Sequence, residues 1–363
     1  MKKIFVGATR QNRGKTTLSL GLINAFIKRN LKVGFIKPVG QRYVDVKGEQ
    51  IDEDAVLVEN IFGCDCPIKH TSPIAIAQGF TTNYIEGKIG NRQQIMDQIM
   101  QSFEIVSKGK DVVVVEGTGH SGVGSVFDMS NADVAKLLDV KTLLVSAGGV
   151  GGPIDEIVLN KTFFDVQGVT TIGAIVNKIE MEKFDRINNT VRKGLKRKGI
   201  ETLGVIPYVP LLSWLTMEVI AESVEGTVLA GKDKMDLLIK TILVGAMPAH
   251  EALNYFGERV LIITPGSRDD IILALMSSYA LGEQKGEIAG LVLTGGNAPH
   301  PSIMKLIEKT QIPTFLVKKD TYTTASEIHD LLVKIRPKDR KKIEKIADIV
   351  SSYVDVDRML DLI

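Results

Sequence analysis

The sequence predicts an α/β protein: a parallel sheet flanked by helices, followed by a second, smaller α/β domain. Three observations carry this. Short apolar runs alternate with stretches whose apolar residues recur at helical spacing, the order that parallel strands and right-handed crossovers require. The run Val112-Val113-Val114-Val115 is continuously β-branched, as suits a strand covered on both faces. The first apolar run, Ile4-Phe5-Val6, leads into Gly7-Ala8-Thr9-Arg10-Gln11-Asn12-Arg13-Gly14-Lys15-Thr16-Thr17, a glycine-bounded polar loop that opens a helix.

A loop of this kind turns successive backbone N–H groups toward phosphate oxygens at a helix N-terminus, adds a lysine, and offers a hydroxyl to Mg²⁺. Lys15 and Thr16 fill the last two roles, and Arg13, Gly14 and Thr17 complete the cradle. Six residues separate Gly7 from Gly14 where the common G-x-x-x-x-G-K-[ST] pattern has four, so this is a lengthened P-loop. Its expected occupant is ATP, or another nucleoside triphosphate, with Mg²⁺.

Composition bounds the rest. A chain of 363 residues is too long for one typical core, and the changes of character along it suggest domains at 1–211 and 212–337 with a helical tail at 338–363. With 44% hydrophobic and 24% charged residues it reads as an ordinary globular protein. A formal charge of +2 gives no general electrostatic reason to expect nucleic acid or a membrane surface as a partner. No stretch approaches about 18 uninterrupted apolar residues, and Lys2-Lys3 precede only a short apolar run, so neither a span nor a signal peptide is expected and the location expected is cytoplasmic. Cys64 and Cys66, one residue apart, read as reduced thiols; a metal site would need more ligands than they supply.

Taken in order, the helix after the P-loop carries Leu18, Leu22, Ala25 and Phe26 on one stripe. A strand from Val33 to Ile36 then runs into Lys37-Pro38-Val39-Gly40-Gln41. A lysine at the C-terminal end of a parallel strand stands where an α/β sheet places ligands, although a solvated loop lysine fits the same pattern. Asp52-Glu53-Asp54 opens another helix; the helix dipole alone favours acids there, so a metal-ligand role for Asp54 stays open beside the bland one. Residues 64–90 contain Pro67, Pro73 and Gly79 and read as a long excursion beside the site. After a helix through Ile95, Ile99 and Phe103, the valine strand ends in Glu116-Gly117-Thr118-Gly119-His120. A carboxylate at that position is where P-loop proteins polarise a metal or water, which makes Glu116 the leading carboxylate. His120 reads as a local hydrogen-bonding residue ahead of a catalytic base.

A strand from Thr142 to Val145 enters a second glycine-rich turn, Gly148 to Pro153, with a helix expected from Asp155. The strand Ile172 to Val176 ends at Asn177-Lys178, and the next helix sets Phe184, Ile187, Val191 and Leu195 against a basic, solvated face. Leu203 to Ile206 and Pro207 close the first domain. In the second, Leu238 to Val244 reads as one strand, and two similar units end in Thr264-Pro265-Gly266-Ser267-Arg268 and Thr294-Gly295-Gly296-Asn297. Those two turns are expected on one sheet edge, holding a small anionic ligand or forming a subunit contact, with a structural salt bridge at Arg268 as the alternative. In the tail, Ile343, Ile346, Ala347 and Val350 are expected to pack back while Lys341, Lys342 and Lys345 face water.

With these pieces assembled, the first domain resembles the dethiobiotin synthetase family of deviant P-loop proteins. The matching residues are the loop ending Gly14-Lys15-Thr16, Lys37-Pro38-Val39, Asp52 to Asp54, Glu116-Gly117, Asn177 and Pro207. The resemblance implies a nucleoside triphosphate on the P-loop, Mg²⁺ held by Thr16, Asp54 and Glu116, an adenine contacted near Asn177 and Pro207, and Lys37 over a phosphoryl-acceptor site. Lys15, Lys37 and Glu116 would be the catalytic residues.

The second domain resembles the DRTGG domain, whose naming residues correspond to Arg268, Thr294, Gly295 and Gly296; Ser267 stands where that family has aspartate. The two domains in this order resemble the N-terminal regulatory half of long phosphate acetyltransferases, without the acetyltransferase domain. The resemblance therefore implies a nucleotide-responsive regulatory protein, working as a homo-oligomer in acyl-phosphate or central metabolism, with an ATP-dependent ligase acting on a carboxylate or carbamate as the alternative. Acetyl transfer is not expected of it.

Overall fold

The computed structural model describes residues 1–282, 288–331 and 333–363, and the chain divides into two compact units, Met1–Val209 with Ile335–Ile363, and Pro210–Lys334. In the first unit six strands form one parallel sheet: β1 (Lys2–Ala8), β2 (Val33–Ile36), β3 (Val112–Glu116), β4 (Lys141–Ala147), β5 (Thr171–Ile179) and β6 (Thr202–Pro207), in the order β6-β5-β4-β1-β3-β2. The valines of β3 are fully buried, as their unbroken β-branched run requires of a central strand. Strand order reverses direction on either side of β1, which opens a crevice at the carboxyl ends of the strands.

Helices α1 (Lys15–Ile27), α2 (Glu53–Phe62), α3 (Arg92–Ser107), α4 (Asn131–Leu137), α5 (Gly151–Val166) and α6 (Phe184–Arg197) accompany the strands. Their starts follow local chemistry. Asp52 caps α2 by accepting from the Asp54 N–H, and capping boxes open α3 at Asn91 with Gln94 and α4 at Ser130 with Asp133. Helix α5 starts at Gly151, earlier than the expected Asp155; Pro153 is tolerated because first-turn N–H groups have no intrahelical acceptor. Ile187, Val191 and Leu195 form the buried stripe of α6, opposite an exposed basic face.

The stretch 64–90 is not featureless. Ile74–Ala75 pairs in parallel with Val39–Gly40, and Phe80 and Tyr84 of the short helix Phe80–Ile85 meet Phe127 edge-on, with centroids 5.5 and 6.3 Å away. The excursion thereby braces the segment that follows β2.

The second unit has five strands, β7 (Thr227–Ala230), β8 (Thr241–Val244), β9 (Val260–Pro265), β10 (Gly290–Thr294) and β11 (Thr314–Leu316), in the order β7-β11-β10-β9-β8, all parallel except the edge strand β7. Helices α7 (Met217–Val224), α8 (Asp269–Ala280), α9 (Pro301–Thr310) and α10 (Thr321–His329) belong to it. The expected single strand from Leu238 to Val244 is two: Leu238–Ile239 pairs antiparallel with Leu215–Thr216, and only Thr241–Val244 joins the main sheet. Lys240 marks the break, its backbone N–H donating to Arg259 and its ammonium paired with Glu258.

The tail forms α11 (Arg340–Tyr353) and α12 (Val356–Leu362) and packs on the first unit. Gly21 of α1 permits the close approach, since a Cβ there would lie 2.2 Å from Val350. Lys342 does not face water as expected; it is 2% exposed, with its ammonium 3.9 Å from Asp339, because the face that buries Ile346 and Val350 also takes in its aliphatic stem.

Candidate functional site

Register brings the first unit's polar residues together. Val6 of β1 lies opposite Glu116 of β3, and Ile36 of β2 opposite Val115, so Lys37 and Glu116 leave adjacent strands side by side at the carboxyl edge. The Lys37 ammonium lies 2.9 Å from Asp52 Oδ1 and 3.8 Å from Glu116 Oε1, and it contacts Asp54 Oδ2 most closely of all. Lys37 is therefore buried among carboxylates, not a solvated loop lysine. The same α2 start that Asp52 caps delivers Asp54, so the capping and functional readings of the acidic segment hold together.

The P-loop meets this cluster from the other side. Thr16 Oγ1 donates to Glu116 Oε1 at 3.0 Å, and the Lys15 ammonium donates to the Gly119 carbonyl at 3.3 Å. Gly14 has φ +98°, and a Cβ there would stand 2.3 Å from Asn177 Nδ2, which in turn donates to the Arg13 carbonyl at 3.1 Å. Any other residue there strains the backbone and displaces the Asn177 amide. Thr17 lies in the first turn of α1; Asn177 lies near the end of β5, and Pro207 ends the neighbouring β6 opposite Ile179.

The electrostatics are those of a desolvated pocket. Burial, then the nearby Asp54 charge, raises the Glu116 carboxyl to about 7. Burial lowers the Lys15 ammonium to about 8. Burial works against charge on Lys37 and on Asp54 as well, but their mutual attraction outweighs it, holding the ammonium above its usual range and the Asp54 carboxyl below. Glu116 Oε2 is buried with no hydrogen-bond partner, although the Ser19 hydroxyl is near enough to the carboxyl to favour its charged form. An unpaired carboxylate oxygen beside a hydroxyl and a second carboxylate is a hard-oxygen set that fits Mg²⁺. Among the described residues no group of three His, Cys, Asp or Glu side chains is placed to hold a metal ion.

Three residues unnoticed in the sequence organise the loops. Glu156 of α5 accepts from Thr9, Arg13 and Ser146 and pairs with Arg10. Asn160 Oδ1 accepts from the Ser121 N–H at 2.9 Å while its Nδ2 reaches the Thr9 carbonyl at 3.4 Å. Asn131 Oδ1 accepts from the Thr118 N–H, and its Nδ2 donates to the carbonyls of Thr118 and His120. Each sits at a helix position with no local pattern to announce it. His120 itself is exposed and accepts from the Gly122 N–H at 3.2 Å, a local contact.

In the second unit the two glycine turns do share an edge, for the Gly266 N–H donates to the Thr294 carbonyl. The polar groups expected to hold an anion there have partners within the unit. Arg268 forks onto Asp270 at 2.7 and 2.9 Å and spends its remaining donors on the carbonyls of Gly245 and Met247. The N–H groups of Gly295 and Gly296 donate to the Lys319 and Val317 carbonyls, and the Thr294 hydroxyl pairs with that of Thr321 at 2.7 Å. Arg268 thus carries the salt bridge that the alternative reading names.

Comparison with known proteins follows the same division. An AAA domain profile matches residues 2–216. The chain belongs to the AAA domain family. This dethiobiotin synthetase-like AAA domain precedes a DRTGG domain matched over residues 219–331, the order found in the N-terminal half of long phosphate acetyltransferases. The phosphate acetyltransferase of Nitratidesulfovibrio vulgaris is 27% identical over 366 residues, covering 97% of this chain and 50% of that protein. That of Pseudomonas putida is 28% identical over 373 residues, covering 98% and 51%. The chain thus spans about half the length of the curated relatives it matches. Among solved structures, the MinC:MinD cell division complex of Aquifex aeolicus overlaps 58% of this chain and 84% of its own at 17% identity and a TM-score of 0.37. The CBS and DRTGG domains of Clostridium perfringens pyrophosphatase overlap 39% and 60% at 19% identity and a TM-score of 0.28. Overlaps of that size carry no argument about function. No described helix is long and apolar enough to cross a membrane.

Proposed function

We propose that the AAA domain binds ATP, or another nucleoside triphosphate, with Mg²⁺, and that the chain is a nucleotide-responsive regulatory protein of acyl-phosphate or central metabolism, working in the cytoplasm as a homo-oligomer. The observation that carries this reading is the convergence of Lys15, Thr16 and Glu116, with Glu116 Oε2 buried and unpartnered at the end of β3. Thr16, Glu116 and Asp54 would hold Mg²⁺, which neutralises phosphate charge when bound. Lys15 supplies the point charge for the phosphates; Gly14, Arg13 and Thr17 shape the cradle, with Asn177 behind it and Pro207 toward the base.

The placement of Lys37 favours regulation over ligation. A lysine that grips an acceptor carboxylate must offer its donors to the substrate, whereas this one is 7% exposed and committed to Asp52 and Asp54. The ligase reading would require that cluster to open.

Calorimetric titration of ATP·Mg²⁺ into wild type and Lys15→Ala tests the binding claim. Losing a charge-assisted contact is expected to weaken affinity by about 1.5–3 kcal/mol; unchanged affinity would sink the site. Phosphate release measured with and without candidate amines and carboxylic acids separates the readings, since acceptor-dependent release would establish the ligase.

A further inference from the structure

We propose that Glu156 is a specificity-determining residue of the phosphate loop: an internal anion that occupies Arg10 and Arg13 while the loop is empty, and so sets how strongly the loop prefers a triphosphate to a diphosphate. The inference rests on the nucleotide reading and names what governs selection at that site.

Glu156 reaches the loop from α5, 147 residues beyond Thr9. Its two oxygens do different work. Oε2 accepts from Thr9 Oγ1 at 2.6 Å and from Ser146 Oγ at 2.9 Å, two hydroxyls at the buried ends of β1 and β4. Oε1 takes the cations, Arg13 Nη2 at 2.7 Å and Arg10 Nε at 2.9 Å. One oxygen is therefore fixed to the sheet, and the other neutralises the loop. One helical turn on, Asn160 ties the same helix to the Thr9 carbonyl and the Ser121 N–H, so the carboxylate cannot drift away with its helix.

The phosphate cradle itself needs no anion. N–H groups and a lysine suffice for it, and a carboxylate close by repels any phosphate that enters. A guanidinium already paired with a carboxylate also has less to offer a phosphate oxygen. Entering phosphates meet arginines that Glu156 keeps engaged, and both this loss and the repulsion grow with the ligand's charge, so the carboxylate penalises a triphosphate more than a diphosphate. The side chain of Arg10 is 69% exposed, so its exchange from Glu156 to a ligand needs no opening of the core.

Glu156→Gln tests this, because it keeps the shape and an oxygen for the hydroxyls while removing the charge. In calorimetry with Mg²⁺, ATP affinity is expected to rise on the order of tenfold, ADP affinity by less and AMP affinity hardly at all, with the gain shrinking as salt is added. Adding Arg10→Ala to that variant should remove most of the gain, whereas Arg10→Ala alone should cost less than about threefold, a coupling that a double-mutant cycle reads. If Glu156→Gln weakens ATP and ADP by one common factor, or leaves both unchanged, Glu156 is only a prop and the proposal falls. Should that variant not fold, Arg10→Ala alone decides: a loss beyond about threefold overturns the proposal, since Arg10 would then be a free contact in the wild type. Lys15→Ala separates the two levels. Unchanged ATP binding in that variant defeats the nucleotide reading itself, while weakened binding together with no charge-graded gain in Glu156→Gln defeats this inference alone.

Discussion

Each unit ends its parallel strands in glycine-containing turns on a common edge, but the two edges treat their polar groups in opposite ways. In the first, Glu116 Oε2 is buried without a partner, Lys15 is desolvated, and one ammonium, Lys37, is shared among carboxylates. In the second, the guanidinium of Arg268, the N–H groups of Gly295 and Gly296 and the hydroxyl of Thr294 all find partners inside the unit. Unpaired buried polar groups cost free energy, so they persist where something else supplies the partner. Position at the carboxyl edge of an α/β sheet is shared by both turns; what differs is how far their donors and acceptors are satisfied.

Glycine replacement gives the largest effect and should fall differently on the two edges. A Cβ at Gly266 would lie 1.8 Å from the Asn297 carbonyl oxygen, a backbone atom that cannot step aside. Gly266→Ala is expected to destabilise the second unit by about 3 kcal/mol, read by urea unfolding. At Gly14 the obstacle is the Asn177 side-chain amide, which can rotate away, and φ is +98°. Gly14→Ala should cost only about 1–2 kcal/mol of stability while sharply weakening ATP binding. If the stability losses came in the opposite order, with ATP affinity intact, the contrast between a structural corner and a functional one would be lost.

Next in size, and opposite in sign, is the effect of removing the buried carboxylate. Burial and the neighbouring Asp54 raise Glu116 from 4.5 to about 7. Between those values the folded chain keeps a proton that the unfolded chain has released, so stability falls as pH rises from about 4.5 to about 7 and stays reduced above it. Lys15 slopes the other way at higher pH: with its ammonium lowered from 10.5 to about 8, stability rises between those values. Glu116→Gln should therefore stabilise the metal-free protein above neutrality by about 2 kcal/mol, have little effect near the carboxyl's ordinary range, and abolish the Mg²⁺ dependence of ATP affinity. Urea titrations in chelator on both sides of neutrality measure this. A variant no more stable than wild type on the alkaline side would mean that burial does not penalise the Glu116 carboxylate.

What the sequence made legible follows the same line. Gly14, Lys15 and Thr16 were readable because three neighbours make a motif, and Lys37 and Glu116 because each ends an unmistakable apolar strand. Their meeting depends only on the parallel register that such strands adopt. Glu156, Asn160 and Asn131 were not readable, since their partners lie 10 to 151 residues away and no local spacing records them. Arg268 is a different case. Its forked donor reads as a ligand group in a one-dimensional pattern, and only the packed carbonyls of Gly245 and Met247 reveal that its capacity is used. Lys342 is the same lesson on a helix: charge predicts solvent, but four methylenes and an acid three residues back allow burial.

The smallest effect sharpens the contrast most finely, because it concerns one hydroxyl pair on the satisfied edge. Thr294 is 1% exposed and its Oγ1 lies 2.7 Å from Thr321 Oγ1, one of the two donating to the other. Were Thr294 a ligand residue, its replacement would leave the unliganded fold unharmed and change the response to an added anion. If the pair is structural, Thr294→Val strands the Thr321 hydroxyl beside an apolar surface and costs about 1 kcal/mol, because the loss is the desolvation of the group left behind. Replacing both partners then removes the orphan, so Thr294→Val with Thr321→Val should be closer to wild type than the single variant. Urea unfolding of the full chain, with and without a panel of nucleotides and organic acids, reads both alternatives at once. A double variant that recovers stability and shows no change in ligand response assigns the pair to the fold. A single variant of wild-type stability whose thermal shift with one of those anions disappears would restore this edge as a binding site and break the comparison.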